Sequence, residues 1–540
     1  MRTRLVHVCG ALLLVASSAC AAPASEQRST TGAAPAATSA PQATPVASGG
    51  AILSYAAESE PDFVNPAIVD PNIPSQLVFR GLTKYDDTNT LQPDLAKSWD
   101  VSSDKLTYTF HLRDDAKWHD GQPFTAADVK FTLDTILNKD SNSSQLQNFQ
   151  EVKSVDVIDD HTVKLTLGQL FAPLLDKLTV GMVPKHLLEG KDPRQADFNK
   201  QPIGTGPFKV AEWRKGEFMT LQADPNYYGG KPKLDKIVLK FVTDASQRLL
   251  QLQNGEVDSA FLEPKQVAQF KDSDKVQLYI WNTADFRVIL LNMRNPMLAD
   301  AKVRTALNYA VARDAIVKSV LVGYGEPAYS PLQQSPYNNA SVDHFSYDPN
   351  RVKSLMTAAG WALGSDGVWA KDGKRFAFTL VAPANDPVRV DLANVAATSL
   401  KANGVEVKVD PRGWDYILKN WASIDLMVLG WGGPFDPDEY TYKLFHSSQA
   451  LENGGSNLGD YSNPKVDQLL QQARTTVDDA QRKQLYGDFQ KELNADPPYI
   501  WGTYLQAIHG VSKKIQGPKE KLLGHHGIGF FSNAEEWSMK

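Results

Sequence analysis

From residue 51 onward, apolar and polar positions recur with two periods, of two and of about 3.6 residues, that alternate along the chain. AILSYAAE (51–58) has the period of two that predicts a strand, and the turn-rich SEPDFVNPAIVDPN follows it. In KLTYTFHLR (105–113), Leu106, Tyr108, Phe110 and Leu112 alternate with Thr107, Thr109 and His111, the pattern of a half-buried strand. HTVKLTLG (161–168) repeats it. Between the two, KWHDGQPFTAADVKFTLDTIL turns at Asp120-Gly121 and offers Thr125 as an N-cap with Asp128 three residues on. It predicts a helix to about Leu137.

The longer period dominates further along. SQRLLQLQNGEVDSAFLEP places Leu249, Leu250 and Leu252 on a short helix stopped by Gly255, with a strand from Val257 to Phe261. AKVRTALNYAVARDAIVKSVL (301–321) and YDPNRVKSLMTAAGW (347–361) read as amphipathic helices, the second ended by Gly360. NPKVDQLLQQARTTVDDAQRKQLYGDFQKELNADPPYIWG (463–502) reads as two helices, a Pro-Pro break and an apolar strand. SIDLMVLGW (423–431) is a buried strand that runs into glycines. The pattern is mixed α/β, without a sequence repeat, and 540 residues call for more than one lobe.

Composition narrows the function classes. The hydrophobic share of 42% and the charged share of 22% are those of an ordinary globular chain. Lys+Arg 56 against Asp+Glu 62 leaves a net charge of -6 without a basic stripe, which argues against a nucleic-acid partner. The two cysteines, Cys9 and Cys20, both lie near the N-terminus, so the body is expected to have no disulfide framework, cysteine-ligated metal or catalytic thiol. MRTRLVHVCGALLLVASSAC has the basic start, apolar run and small residues of a secretory signal (1–20). Cys20 after small residues resembles a lipobox cysteine, acylated and first in the mature chain, with Ser17 where leucine is usual. Residues 21–50, almost all Ala, Pro, Ser, Thr, Gly and Gln, are expected to be a disordered tether. The body is expected to be exported, and periplasmic or held to the cell membrane by that lipid.

The motifs form an ordered series. LQPDLAKSWDVSSDKLTYTFHLRDDAKWHDGQPFTAADVKFTL (91–133) resembles the signature of bacterial extracellular solute-binding proteins, family 5, the binding components of peptide and nickel ABC importers. PIGTGPFKV (202–210), NYYGGKPKLDKI (226–237), RLLQLQNGEVD (248–258), KVRTALNYAVARDAI (302–316), YDPNRVKSLMTAAG (347–360) and NPKVDQLLQQAR (463–474) follow in the order of that family. The resemblance spans about 51–540. It implies a periplasmic-binding-protein-like type II fold, two α/β lobes around a hinge with an extra subdomain on the first. The first lobe would take 51–85, 200–287 and 505–540, the subdomain 86–199, and the second lobe 288–504, with hinge strands crossing near Arg287 and Tyr504. It also implies a monomer that closes on a solute, most simply an oligopeptide, and delivers it to a membrane permease without a cofactor. A nickel chelate, an oligosaccharide or another small solute is the alternative within the family. An exported hydrolase and a ligand-sensing receptor module are the alternatives outside it.

Candidate residues follow from the same resemblance. Ser59, Glu60 and Phe63 lie on a loop that reaches the ligand in related peptide binders, and Asn292 lies just past the first hinge crossing. Trp431 at its strand end, with Gly432 and Gly433, is expected to form a cleft wall, an indole offering a rigid apolar face. Many peptide-binding members carry an aspartate about three residues after this tryptophan, for the ligand's α-ammonium. Here position 434 is proline, which leaves Asp436 or Glu60 as the anionic partner, or Asp436 as a turn cap. Tyr440, Tyr442 and Phe445 are expected in the core. GTGPF (204–208) lacks the spacing of a nucleotide loop and WHDG (118–121) lacks partners, so both are expected to be structural. No metal site is expected at His525-His526, because adjacent side chains rarely point the same way, and no catalytic set is recognised.

Overall fold

The computed structural model describes residues 50–540 except 454; the expectations for the signal segment, for Cys20 and for the tether up to residue 49 lie outside them. An eleven-stranded mixed sheet runs through the described residues. On one side Ile52–Ala57 pairs in parallel with Lys236–Phe241 and Ser259–Phe261, and Phe218–Ala223 and Phe208–Arg214 extend that side as antiparallel strands. On the other, Ala377–Pro383 lies in parallel between Glu406–Arg412 and Leu426–Trp431. Strands buried on both faces read as continuous apolar runs, which is why LMVLGW shows no alternation.

Two long strands, Val276–Leu291 and Tyr499–Ser512, join the sides. They pair antiparallel from Val276↔Ser512 to Leu290↔Tyr499, with a register break between Asn282 and Phe286. The hydrophobic cores change at that break. One core draws only on residues from Phe286 to Tyr504. The other runs from Leu53 to Trp281 and resumes from Ala507 to Trp537. A smaller core holds Leu249 and Leu252 of the helix Ala245–Asn254, which Asp244 caps and Gly255 stops at φ 74, while Leu250 faces solvent.

A four-stranded antiparallel sheet, ordered Ala96–Val101, Thr107–Leu112, Thr162–Leu167, Val152–Asp159, carries the helix Ala126–Leu137. The capping box is formed: the Thr125 N–H donates to the Asp128 carboxylate at 2.9 Å, which also accepts from Lys185 N–H at 2.9 Å. The two motifs read as structural clasp each other. His119 accepts from Gly204 N–H at 3.1 Å on Nδ1 and donates from Nε2 to the Gly206 carbonyl at 2.9 Å. The predicted helix over 301–321 is instead two, Ala301–Tyr309 and Arg313–Ser319. The buried Arg313 guanidinium bonds the carbonyls of Asn308 and Phe345 at 3.0 and 2.6 Å, and this holds the chain in a turn that amphipathicity alone does not reveal.

His509, 2% exposed, lies parallel to Phe530 with ring centres 3.6 Å apart and neither nitrogen hydrogen-bonded. Burial pushes its pKa from 6.5 to about 3. The unfolded chain therefore takes up this proton first as pH falls, and stability drains between those two values by roughly 1.4 kcal/mol per pH unit. Denaturant unfolding of His509→Phe should show that slope removed below about pH 6.5; a slope equal to that of the parent chain would mean that His509 protonates while folded.

Candidate ligand cleft

At the register break the backbone leaves the ladder and is held by side chains. Thr283 Oγ1 donates to the Leu505 carbonyl at 2.5 Å and accepts from Asp285 N–H at 3.0 Å. The buried Asp285 carboxylate then takes three donors: Arg287 Nη1, His525 Nδ1 at 2.8 Å and His526 N–H at 3.1 Å. Burial alone would raise the Asp285 pKa, but Arg287 and then His525 hold it well below the usual carboxylate range. Charge-assisted bonds of this kind orient the groups on both sides of the break.

His525 and His526 lie on a short turn in which His526 adopts φ 52 and Gly527 φ 72. This left-handed kink brings adjacent imidazoles together, with ring centres 4.2 Å apart at 86°. His526 Nδ1 lies 2.8 Å from Glu58 Oε1. Burial raises the Glu58 pKa, but His526, Arg248 and His525 together bring it down to about 2. Both carboxylates are thus acceptors, so each imidazole commits Nδ1–H to one of them. Burial pushes His525 down to about 3 against the pull of Asp285, which keeps the ring neutral with Nε2 as an acceptor. Arg389 Nη2 sits 3.4 Å from that atom. Burial lowers the His526 pKa, but Glu58 and Asp285 together raise it above the ordinary value.

Arg389 comes from the opposite wall, the first turn of the helix Pro387–Ala402, where Asp386 caps the helix and pairs with the guanidinium at 3.1 Å. Burial and the neighbouring Arg287 push Arg389 down to about 10. Trp414, 37% exposed, stands 6.0 Å from Arg389 at the rim. The two cores also touch directly. Lys177 pairs with Asp438 at 3.8 Å and with Glu439, Tyr85 stacks on Phe435 at 4.9 Å, and Lys265 pairs with Asp391 at 2.5 Å. A cavity of about 370 Å³ is enclosed here, with Ala284, Pro331, Gly432, Gly433, Phe435 and Tyr440 in its walls. Gly432, at φ 139, must be glycine, since a Cβ would lie 1.8 Å from the Ala284 carbonyl. Its own carbonyl accepts from His525 N–H at 2.8 Å, so the cavity and the histidines share a wall.

The structure distributes the expected site residues unevenly. Gly432 and Gly433 line the cavity. Trp431 does not: its half-buried indole stacks on Tyr499 (5.8 Å, 17°) and faces Phe286 at the edge of the core. Tyr440, expected in the core, takes its place in the wall, while Tyr442 and Phe445 are core residues. Asn292 is corrected to a backbone clip, since its Nδ2 donates to the carbonyls of Ala422 and Ile424 at 3.1 and 2.9 Å. Asp436 is corrected as a ligand counter-ion. Arg482 takes both its oxygens at 2.6 and 2.7 Å, and Asp438 N–H bonds it at 3.0 Å, the turn cap allowed by the sequence. Burial, then the like charge of Asp436, pushes nearby Asp176 up to about 6.

Glu60 is likewise committed, to Trp213 Nε1 and Gly216 N–H at 2.8 Å each. Phe63 lies under Arg194 at 5.8 Å, and Ser59 is exposed. The residue of that loop that meets the cluster is Glu58, one position earlier. Sequence reasoning missed Glu58, Asp285, Arg287, Arg389 and Trp414. It set His525-His526 aside on a rule about adjacent side chains that the left-handed turn overrides; flanking Gly524 and Gly527 were the available signal.

Among the described residues no three His, Cys, Asp or Glu side chains converge as a metal site. The histidine pair can therefore contribute at most two positions to a metal whose other ligands arrive with it.

Residues 90–452 match the family described as bacterial extracellular solute-binding proteins, family 5 Middle. Protein XP55 of Streptomyces lividans is 34% identical over 86% of this chain and 86% of its own length. Oligopeptide-binding protein AppA of Bacillus subtilis is 31% identical over 85% of this chain and 86% of its own. The crystal structure of NikZ from Campylobacter jejuni in complex with Ni(L-His) superposes with a TM-score of 0.87 and 39% identity, over 91% of this chain and 100% of that one.

Replacing Asp285 by Asn keeps the shape and leaves Arg287 buried without its counter-ion, which should destabilise the fold by roughly 3–5 kcal/mol. Denaturant unfolding of Asp285→Asn, Arg287→Met and the double variant checks this. The double variant should recover at least about 1 kcal/mol of the summed losses, and strict additivity would show that the two groups do not depend on each other.

Proposed function

We propose a ligand from one premise: the chain belongs to the bacterial extracellular solute-binding proteins, family 5. As such it is an extracytoplasmic substrate-binding component of an ABC importer, and the family acts by binding rather than by catalysis. The type II periplasmic-binding fold of its relatives accounts for the two cores joined by crossing strands. In the reading advanced here the lobes are those expected from sequence, 51–85 with 200–287 and 505–540, and 288–504, with 86–199 as the added subdomain. The hinge is the register break at 283–285. The contacts between the cores support a closed arrangement, and closure is what a permease would recognise.

The solute proposed is a divalent transition metal carried as an amino-acid chelate, nickel being the metal of the first test. The observation that carries this is the pair His525-His526, adjacent imidazoles each with Nδ1 anchored on its own carboxylate beside Arg389 of the other core. Carboxylate anchoring of this kind fixes the ring and its tautomer in metal-ligating histidines. Arg389 stands beside the pair as the partner for a chelator's carboxylate. NikZ, 39% identical, is described in complex with Ni(L-His). The histidines and the arginine come from different cores, so a chelate touching both would favour closure.

An oligopeptide is the second reading. AppA, 31% identical, is an oligopeptide-binding protein, and the backbone of Gly432 and Gly433 is open to the cavity for main-chain hydrogen bonds. Pro434 and the commitment of Asp436 to Arg482 leave the stretch after Trp431 without a free acid for an α-ammonium.

Titration calorimetry of the whole protein with nickel chloride, L-histidine, their 1:2 mixture and di- to pentapeptides separates the readings. The mixture should bind at least about tenfold tighter than either component, and His525→Ala or His526→Ala should remove that gain, about 1.4 kcal/mol or more. Peptide binding that is indifferent to nickel and to both substitutions would establish the second reading and reject the first.

A lipid anchor at Cys20 is also proposed, resting on the small residues before it. Cys20→Ser should abolish fatty-acid labelling and release the protein from the membrane fraction; labelling that survives the change rejects the anchor.

A further inference from the structure

The cavity beyond the histidine pair has a chemistry that a compact hydrophilic chelate does not use. Its walls are mainly apolar: Pro331, Leu332, Pro336, Pro434, Phe435 and Tyr440 surround it. Two charged residues reach it, Asp87 and Lys521. Asp87 shares Lys519, at 3.0 Å, with Glu536 at 2.6 Å. Lys521 feels Asp87 and Asp86 but is in ion-pair contact with neither. Its ammonium donates one hydrogen bond, to the Asp86 carbonyl at 2.8 Å, and takes part in no ion pair among the described residues. An ammonium carries three donors, so two remain for an incoming acceptor. A half-buried cation beside apolar walls is costly to leave unpaired, and an anion that enters with an apolar group relieves that cost.

We propose that this cavity is a subsite for an apolar residue at the carboxyl end of the solute, an aromatic or branched aliphatic side chain against the prolines and Phe435, with its carboxylate on Lys521. The volume of about 370 Å³ lies at the small end of the range for ligand pockets, which suits one or two residues rather than a long peptide. Gly432 is common to both regions. Its carbonyl holds the His525 backbone and the residue lines the cavity, so one short solute passing over it would reach the histidines with its amino-terminal residue and Lys521 with its carboxyl-terminal one. The substrate class is then a short metal-chelating peptide with an apolar last residue. This deepens the proposed function and rests on the cleft being the solute site.

The test is calorimetry of the whole protein with histidyl-phenylalanine, its carboxamide and histidyl-glutamate, each with and without nickel. The free acid should bind about tenfold or more tighter than the carboxamide and than histidyl-glutamate. Lys521→Met should bring acid and carboxamide to within about twofold of each other, while Lys521→Arg keeps the preference. Thermal melting of both variants shows whether they fold, and the Arg variant keeps the comparison valid if the Met variant does not. Equal affinity for acid and carboxamide in the parent protein, or a preference unchanged by Lys521→Met, overturns the subsite. Tight binding of the nickel–histidine mixture, titrated alongside these probes, would leave the proposed function standing when the subsite fails. Absence of binding by every probe overturns both.

Discussion

The antiparallel pairing of Val276–Leu291 with Tyr499–Ser512, interrupted at 283–285, is the constraint on which the rest depends. A continuous ladder would bind the two cores into one rigid slab. A complete gap would leave them tethered only by flexible loops. The break does neither, because Thr283 and Asp285 replace the missing ladder bonds with side-chain bonds to Leu505, Arg287 and the 525–526 turn. The same residues that excuse the backbone from its ladder therefore assemble the cleft wall. The register break and the histidine turn are one piece of chemistry here, a buried carboxylate with three donors.

Charge burial organises the opposing face in the same way. The acids Asp436, Asp438 and Glu439 follow one another closely, and each finds a different cation: Arg482, Arg474 and Lys177. The first two cations belong to the same core as the acids, whereas Lys177 belongs to the subdomain packed on the other. Buried pairs of this kind contribute little net stability, but they penalise every arrangement that separates them. The segment thereby specifies how the cores meet, which a purely apolar contact would leave free to slide.

Much of the architecture was legible in the chain. The capping box at Thr125 and Asp128 and the stop at Gly255 are local rules, satisfied within one turn of helix, and they appear where the residues predict them. The site was much less legible. Trp431 looked like a pocket wall because it ends a strand at glycines, but the stack on Tyr499, 68 positions later by the numbering, turns it to the core edge. Asp436 looked like a free acid until Arg482 from a distant helix occupied it. The histidine pair was visible and was dismissed, since the rule that adjacent side chains diverge assumes ordinary φ, and His526 has φ 52.

By itself, then, the sequence determined the class of fold, the family and the export-like start, because periodicity, capping and ordered motifs act over a few residues and survive without tertiary context. Which polar groups remain unspent and facing the cleft was decided by tertiary structure alone. A side chain becomes available for a ligand only after every competing partner has been placed. For Asp285, Arg389, His525 and Lys521 those partners come from segments up to hundreds of residues apart, brought together by the folding of two cores about one broken ladder.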